Sequence, residues 1–309
     1  MTTTMKAPTA NETMGRSVSA ALSSRPGRIA VYILVFFWTI PTFGLLVSSF
    51  RPEQAVKTTG WWTAFIRPHF TLHNYSQSLS SQPGSDDLAH YFFTSIKITL
   101  PATIISVGIA ALAAYALSWM DFKGRDWLFV AIVGMLVVPL QMALIPLLRL
   151  FTHGAHIGHL AIFPYLGLKN NVAAIWIAHT CFGLPFCVFI MRNFVASLPR
   201  EVIEAARVDG ASHLTTFGKI VLPLSVPAIA SLCIFQFMYI WNDLLIGLVF
   251  GGQTNKPIIA KLVDLVGTRG ESWHLLTSAA FISMVVPLIV FFSLQRFFVR
   301  GLLAGAVKG

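Results

Sequence analysis

The chain has 309 residues, 55% of them hydrophobic and only 11% charged, against about 25% charged in ordinary soluble domains. That deficit excludes an ordinary soluble domain and points to an integral membrane protein. The formal net charge of +10 does not indicate nucleic acid, because the basic residues are scattered between apolar runs and form no basic and aromatic stripe.

Residues 1–28 form a polar tail rich in Ser, Thr and Ala, with Lys6, Arg16, Arg25 and Arg28. The apolar run that follows is too long for the core of a cleaved signal peptide and is expected to be an uncleaved first span. Runs able to cross about 30 Å of hydrocarbon as helices are Ile29 to Phe50, Phe92 to Met120, Trp127 to Leu150, Val172 to Met191, Leu224 to Phe250 and Leu275 to Phe298. The expected fold is therefore all-α, with six transmembrane helices across residues 29–298. The N-terminal tail, the 121–126 loop, the 192–223 interval and the tail 299–309 carry more Lys and Arg than the opposite loops. The positive-inside rule places those segments, and both termini, in the cytoplasm (N-in/C-in).

On the opposite side, the loop 51–91 contains Trp61-Trp62, suited to the membrane interface, and the Ser/Gln/Gly/Asp-rich stretch after Leu79. Lys97, early in the second span, can snorkel to the outer headgroups. His153, His156 and His159 have a spacing that metal ligands can use. On a helix they would drift around the face, and no Cys, Asp or Glu lies nearby in sequence, so no metal is expected. The run Leu160 to Leu168, broken by Pro164, is too short to cross and is expected along the outer interface. Cys181, Cys187 and Cys233 lie in apolar segments without CxxC spacing and read as packing residues.

Polar residues within the spans face other protein or water rather than lipid. His179 in the fourth run, Asn242 and Asp243 in the fifth and Ser283 in the sixth are thus candidates for a substrate path. For Asn242 and Asp243, an interhelical hydrogen-bonding role at the outer helix end is an equal alternative. Thr277 and Ser278 are further polar positions, and Gly247-x-x-x-Gly251 fits small-residue packing.

The most informative stretch is the polar interval 195–223 between the fourth and fifth runs. Pro199 suits a first helical turn, and Glu201 and Glu204 sit at the positive end of a helix dipole. Gly210 can take the positive φ that ends a helix, and Ser212 can cap a second one. The expected shape is a bent helical hairpin. No G-x-x-x-x-G-K-[ST] phosphate loop is present: Gly218-Lys219 is followed by Ile220, and His213 stands where the first glycine should be. No Gly-x-Ser-x-Gly elbow, HExxH or paired-carboxylate site appears either, so the sequence does not read as an enzyme.

Within this interval, Glu204-Ala205-Ala206, Gly210 after three residues, and Ile220-Val221-Leu222-Pro223 after nine more resemble the cytoplasmic signature loop of ABC importer permeases. Asp209, Trp241-Asn242-Asp243 and the tail from Arg300-Gly301 to Lys308-Gly309 resemble the carbohydrate branch, specifically the maltose-type second permease. The resemblance runs from about the first span to the last residue, leaving the N-terminal tail and the outer loop without a match, and implies a type I importer permease fold in a bacterial cytoplasmic membrane. It also implies that Glu201, Glu204, Ala205, Ala206, Asp209, Gly210, Ala211, Ile220, Leu222 and Pro223 form an element docking on an ATPase. Arg300, Gly301, Lys308 and Gly309 would reach toward the interface between two ATPase subunits. The implied partners are a second permease, two ATPase subunits carrying ATP and Mg, an extracytoplasmic solute-binding protein and the lipid bilayer. This chain itself would bind no cofactor and no nucleic acid.

Overall fold

The computed structural model describes residues 24–80, 87–168, 170–267 and 272–306, with the side chains of 297–306 left aside. Among the described residues, four helices are long and apolar enough to cross a membrane. They are α1 (Arg25–Ser49), α4 (Leu88–Trp119), α7 (Val172–Ala196) and the Trp273–Arg296 part of α13 (Trp273–Ala306). The count rises to six if two bent helix pairs are each taken as one span.

The first bent pair corrects the straight third run. Residues Arg125–Val137, comprising α5 (Arg125–Gly134) and one 3-10 turn, meet α6 (Leu140–His153) at 107°. Val138 precedes a proline and is extended, and Pro139 supplies no N–H, so the helix cannot continue through them. The fifth run is also shorter than expected. Helix α10 (Val226–Trp241) stops before Asn242, and α11 (Leu245–Gly251) starts afresh after Asp243.

The connecting segments hold more structure than their polarity suggests. The loop 51–91 contains α2 (Glu53–Thr58), a 3-10 helix Trp61–Phe65 and α3 (His73–Leu79). The following span begins at Leu88 rather than Phe92, with Asp87 accepting a capping bond from the His90 N–H. Half of the Leu160 to Leu168 run forms a strand: β1 (Ala155–Ile157) pairs antiparallel with β2 (Leu160–Phe163). Gly158 takes a φ of +60° at the tip of this hairpin, a region open to glycine at little cost. Helix α12 (Ile258–Val266) precedes α13, and α13 continues to Ala306, into the tail 299–309.

The core lies where α4 and α7 pack along one another. Ala110, Ala111 and Ala114 on α4 allow close approach to Cys187, Val188, Met191 and Val195 on α7. Helix α1 is different: only Gly44, Val47 and Ser49 are buried, while Leu34, Phe36, Phe37 and Trp38 are exposed. In a membrane that apolar surface must be covered by lipid tails or by apolar side chains of another membrane subunit.

Candidate functional site

The interval between α7 and α10 forms the bent hairpin. Helix α8 (Arg200–Val208) begins after Pro199, which occupies the cap position rather than the first turn, and Glu201 lies in the first turn. Its C-terminus closes as a Schellman motif, with the Gly210 N–H donating to the Arg207 carbonyl and the Ala211 N–H to the Ala206 carbonyl, both at 3.0 Å. Gly210 has φ +75°. Ser212 then caps α9 (His213–Thr216), accepting the Thr215 N–H at 3.2 Å. The chain continues through a π-helical stretch, Phe217–Val221, and a single turn, Leu222–Leu224, to meet α10 at 75°.

Two apolar side chains pin this hairpin to the bundle. Ile203 and Val221 are buried in the same cluster as Ala114, Met191 and Leu232. Two polar contacts add to them: the Tyr115 hydroxyl hydrogen-bonds His213 Nδ1 at 3.0 Å, and the Arg207 guanidinium donates to the Trp119 carbonyl. Trp119 is itself tied to α7, its indole donating to the Val195 carbonyl at 3.1 Å.

The expected contact surface therefore needs one correction. Glu201, Glu204, Ala205, Asp209 and Gly210 are exposed, but Ala206 is buried and belongs to the inward face with Ile203. Ala211 and Ile220 are half-buried, and Leu222 and Pro223 are exposed. Sequence reasoning missed Val202, Val208 and Leu214, of which Val208 is 87% and Leu214 77% exposed. They are apolar groups on a charged hairpin. The i, i+3 spacing of Ile203 and Ala206 was the available signal for which face turns inward.

The spans hold a second polar set. His179 on α7 is buried, and its Nε2 lies 3.9 Å from Asp243 Oδ2, beyond hydrogen-bond reach. Asp243 accepts the Ile246 N–H at 2.8 Å and the Gly247 N–H at 3.4 Å, so it caps α11 from the break after α10. The Tyr239 ring stands edge-on to His179 at 6.3 Å. Tyr239 also lines an apolar cavity of about 320 Å³ with Cys181, Phe182, Pro185 and Met135, at the bend between α5 and α6.

Of the predicted path residues, the structure joins only His179 and Asp243. Asn242 is exposed and donates to the Met238 carbonyl of its own helix at 2.8 Å. Ser283 on α13 donates to the Ala280 carbonyl at 2.8 Å. Ser278 instead secures α3, through Ser78 at 3.1 Å. Of the tail residues, Arg300 and Gly301 fall in α13, and Lys308 and Gly309 lie outside the described residues.

A buried polar layer went unforeseen. The Gln236 amide on α10 donates to Ser106 Oγ on α4 at 3.3 Å, Ser106 donates to Thr180 Oγ1 on α7 at 3.3 Å, and Cys187 Sγ donates to Gln236 Oε1 at 3.4 Å. Gly183 makes room for it, since a Cβ there would overlap the Gln236 amide. No local pattern marks Ser106 or Gln236, because their partners are far away in sequence.

A long-helix bundle with a turn-capped hairpin at one rim and polar groups between its spans is the architecture of a transport permease. Residues 106–303 match the family described as "Binding-protein-dependent transport system inner membrane component", and the chain belongs to that family. It is thus a membrane component of a binding-protein-dependent transport system, not the enzyme that powers it. The chain is 48% identical over 289 residues to the osmoprotective compounds uptake permease protein GgtD of Synechocystis sp., covering 92% of each protein. It is 50% identical over 267 residues to the alpha-glucoside transport system permease protein AglG of Rhizobium meliloti, covering 85% of this chain and 67% of that one. A crystal structure of a bacterial ABC transporter for alginate import superposes with a TM-score of 0.68 at 20% identity, over 95% of this chain and 99% of that one. At that identity the likeness shows the fold.

Proposed function

We propose that this chain is the transmembrane permease subunit of an ATP-driven importer of sugars, of the oligosaccharide or glycoside class. The observation that carries the coupling part of this reading is the hairpin 200–223. It offers exposed Glu201, Glu204, Ala205 and Asp209 beside exposed Val208 and Leu214, and it is held to the α4–α7 core through Ile203 and Val221. Such a surface suits a groove on a separate ATPase subunit, where Glu204 meets a basic group and the apolar residues are covered. ATP and Mg belong to that ATPase, which acts as a pair. Closing the pair moves the hairpins of this permease and of a second permease together and rocks the spans between inward- and outward-facing states.

In this reading both termini and the hairpin are cytoplasmic, and the binding protein delivers solute to the opposite face. The layer of His179, Asp243 and Asn242 lines the path, and the C-terminal residues from Arg300 onward approach the ATPase pair. The sugar class is supported by the likeness to an alpha-glucoside permease, while the relative named for osmoprotective compounds supports a second reading, a compatible solute.

The test is ATP-dependent uptake in proteoliposomes holding the complete complex, with α-glucosides and osmoprotective solutes as competitors. Uptake that α-glucosides inhibit fits the proposal; uptake blocked only by non-sugar osmoprotectants selects the second reading. Transport by the purified chain without an ATPase would overturn both.

A further inference from the structure

We propose that the cavity beneath the Trp61–Phe65 turn is a binding site for the phosphodiester headgroup of an anionic phospholipid. This inference does not depend on the solute transported. The cavity measures about 640 Å³ and lies just past the end of α1, lined by Arg51, Arg67, His69, Gln54, Thr58 and Thr63 among others. Among the described residues, no carboxylate lines it.

Arg51 is 3% exposed, yet its guanidinium bonds only neutral groups there: the Ala55 carbonyl at 3.1 Å, Thr59 Oγ1 at 2.5 Å, Thr63 Oγ1 at 3.0 Å and the Thr59 carbonyl at 3.4 Å. A buried cation without a counter-ion is costly, and burial already lowers its pKa. Helix α2 sorts its charges away from the cavity. Gln54, Ala55 and Thr58 line it, while Glu53 pairs with Lys57 at 2.5 Å and with His274 at 3.8 Å on another face.

The surroundings fix the occupant as lipid. Trp61 packs edge-on against Phe43 at 5.9 Å and covers Gly44, so the turn sits beside the last turns of the exposed, apolar α1. Trp62, Phe65 and Ile66 are 61%, 64% and 77% exposed, an apolar and aromatic rim of the kind found at headgroup depth. A phosphodiester at that depth with its acyl chains along α1 would place its oxygens among Arg51, Arg67 and His69, and its tails on Phe37 and Trp38.

The full chain in nanodiscs containing equal phosphatidylglycerol and phosphatidylcholine tests this by native mass spectrometry of co-retained lipid. The expected result is selective retention of phosphatidylglycerol, reduced roughly fivefold by the cation lost in Arg67→Gln and further when His69→Gln removes a ring hydrogen-bonding group as well. Arg67 and His69 are exposed, so these variants keep the fold, which an unchanged Tm verifies. Lys57→Gln, a cation lost from the other face, should leave retention unchanged. Equal retention of both lipids, no effect of Arg67→Gln, an equal effect of Lys57→Gln, or equally tight binding of free glycerol phosphate would each overturn the proposal.

Discussion

The hairpin 200–223 and the intramembrane layer around Gln236 are both polar, but they are built in opposite ways. The hairpin is specified locally: its turn closes on carbonyls within α8 and its second arm is capped from Ser212, three residues before Thr215. Ile203 and Val221 anchor it in the core, with Ala206 and Thr216 also buried. The layer has little local logic: Ser106 also donates to the Ala102 carbonyl of its own helix at 2.7 Å, but its links to Thr180 and Gln236 join three helices and form only when those helices pack. The difference teaches that the first should lose function before stability, and the second stability before function.

The sharpest way to break this contrast is Gly183→Val. Its Cβ would overlap the Gln236 amide, combining overpacking of about 1–3 kcal/mol with orphaned buried polar groups of about 1–3 kcal/mol. Loss of detergent-stable protein, or a large fall in Tm, is expected; an unchanged Tm would mean that the layer holds nothing together.

Gly210→Val comes next. No atom lies within 4 Å of a Cβ there, so the cost is backbone strain at φ +75°, about 1–2 kcal/mol. ATP-driven uptake and ATPase co-purification should fall about tenfold while the purified chain's Tm moves by only a few degrees. A matching loss of the isolated chain would show the hairpin to be structural.

Asp243→Ala removes the acceptor for two N–H groups at the start of α11, a loss of about 1 kcal/mol in stability. Asp243→Asn keeps an acceptor and should restore the Tm. If Asn restores Tm but not uptake, the carboxylate serves the path as well as the cap.

The smallest effect is expected outside both regions. Glu53 is held below the usual carboxylate range, first by the hydrogen bond from Lys57 and then by the charge of His274. A lowered folded pKa contributes stability at neutral pH that is lost as pH falls through the folded value. The Tm difference between wild type and Glu53→Gln should therefore be slight at pH 7 and shrink below about pH 4. A difference that grows in acid would contradict the pairing.

The sequence alone determined that the chain is a membrane protein, where most of its spans run, and the hairpin's bend at Gly210 and cap at Ser212. These follow from hydropathy and from backbone rules acting over a few residues. Only the tertiary structure decided that Ala206 turns inward while Val208 and Leu214 turn outward, because burial depends on where α4 and α7 lie. It also decided that Asp243 starts a new helix beside His179, and that Gly183 yields space to Gln236. Such relations are set by side chains tens of residues apart, and no local pattern encodes them until the helices meet.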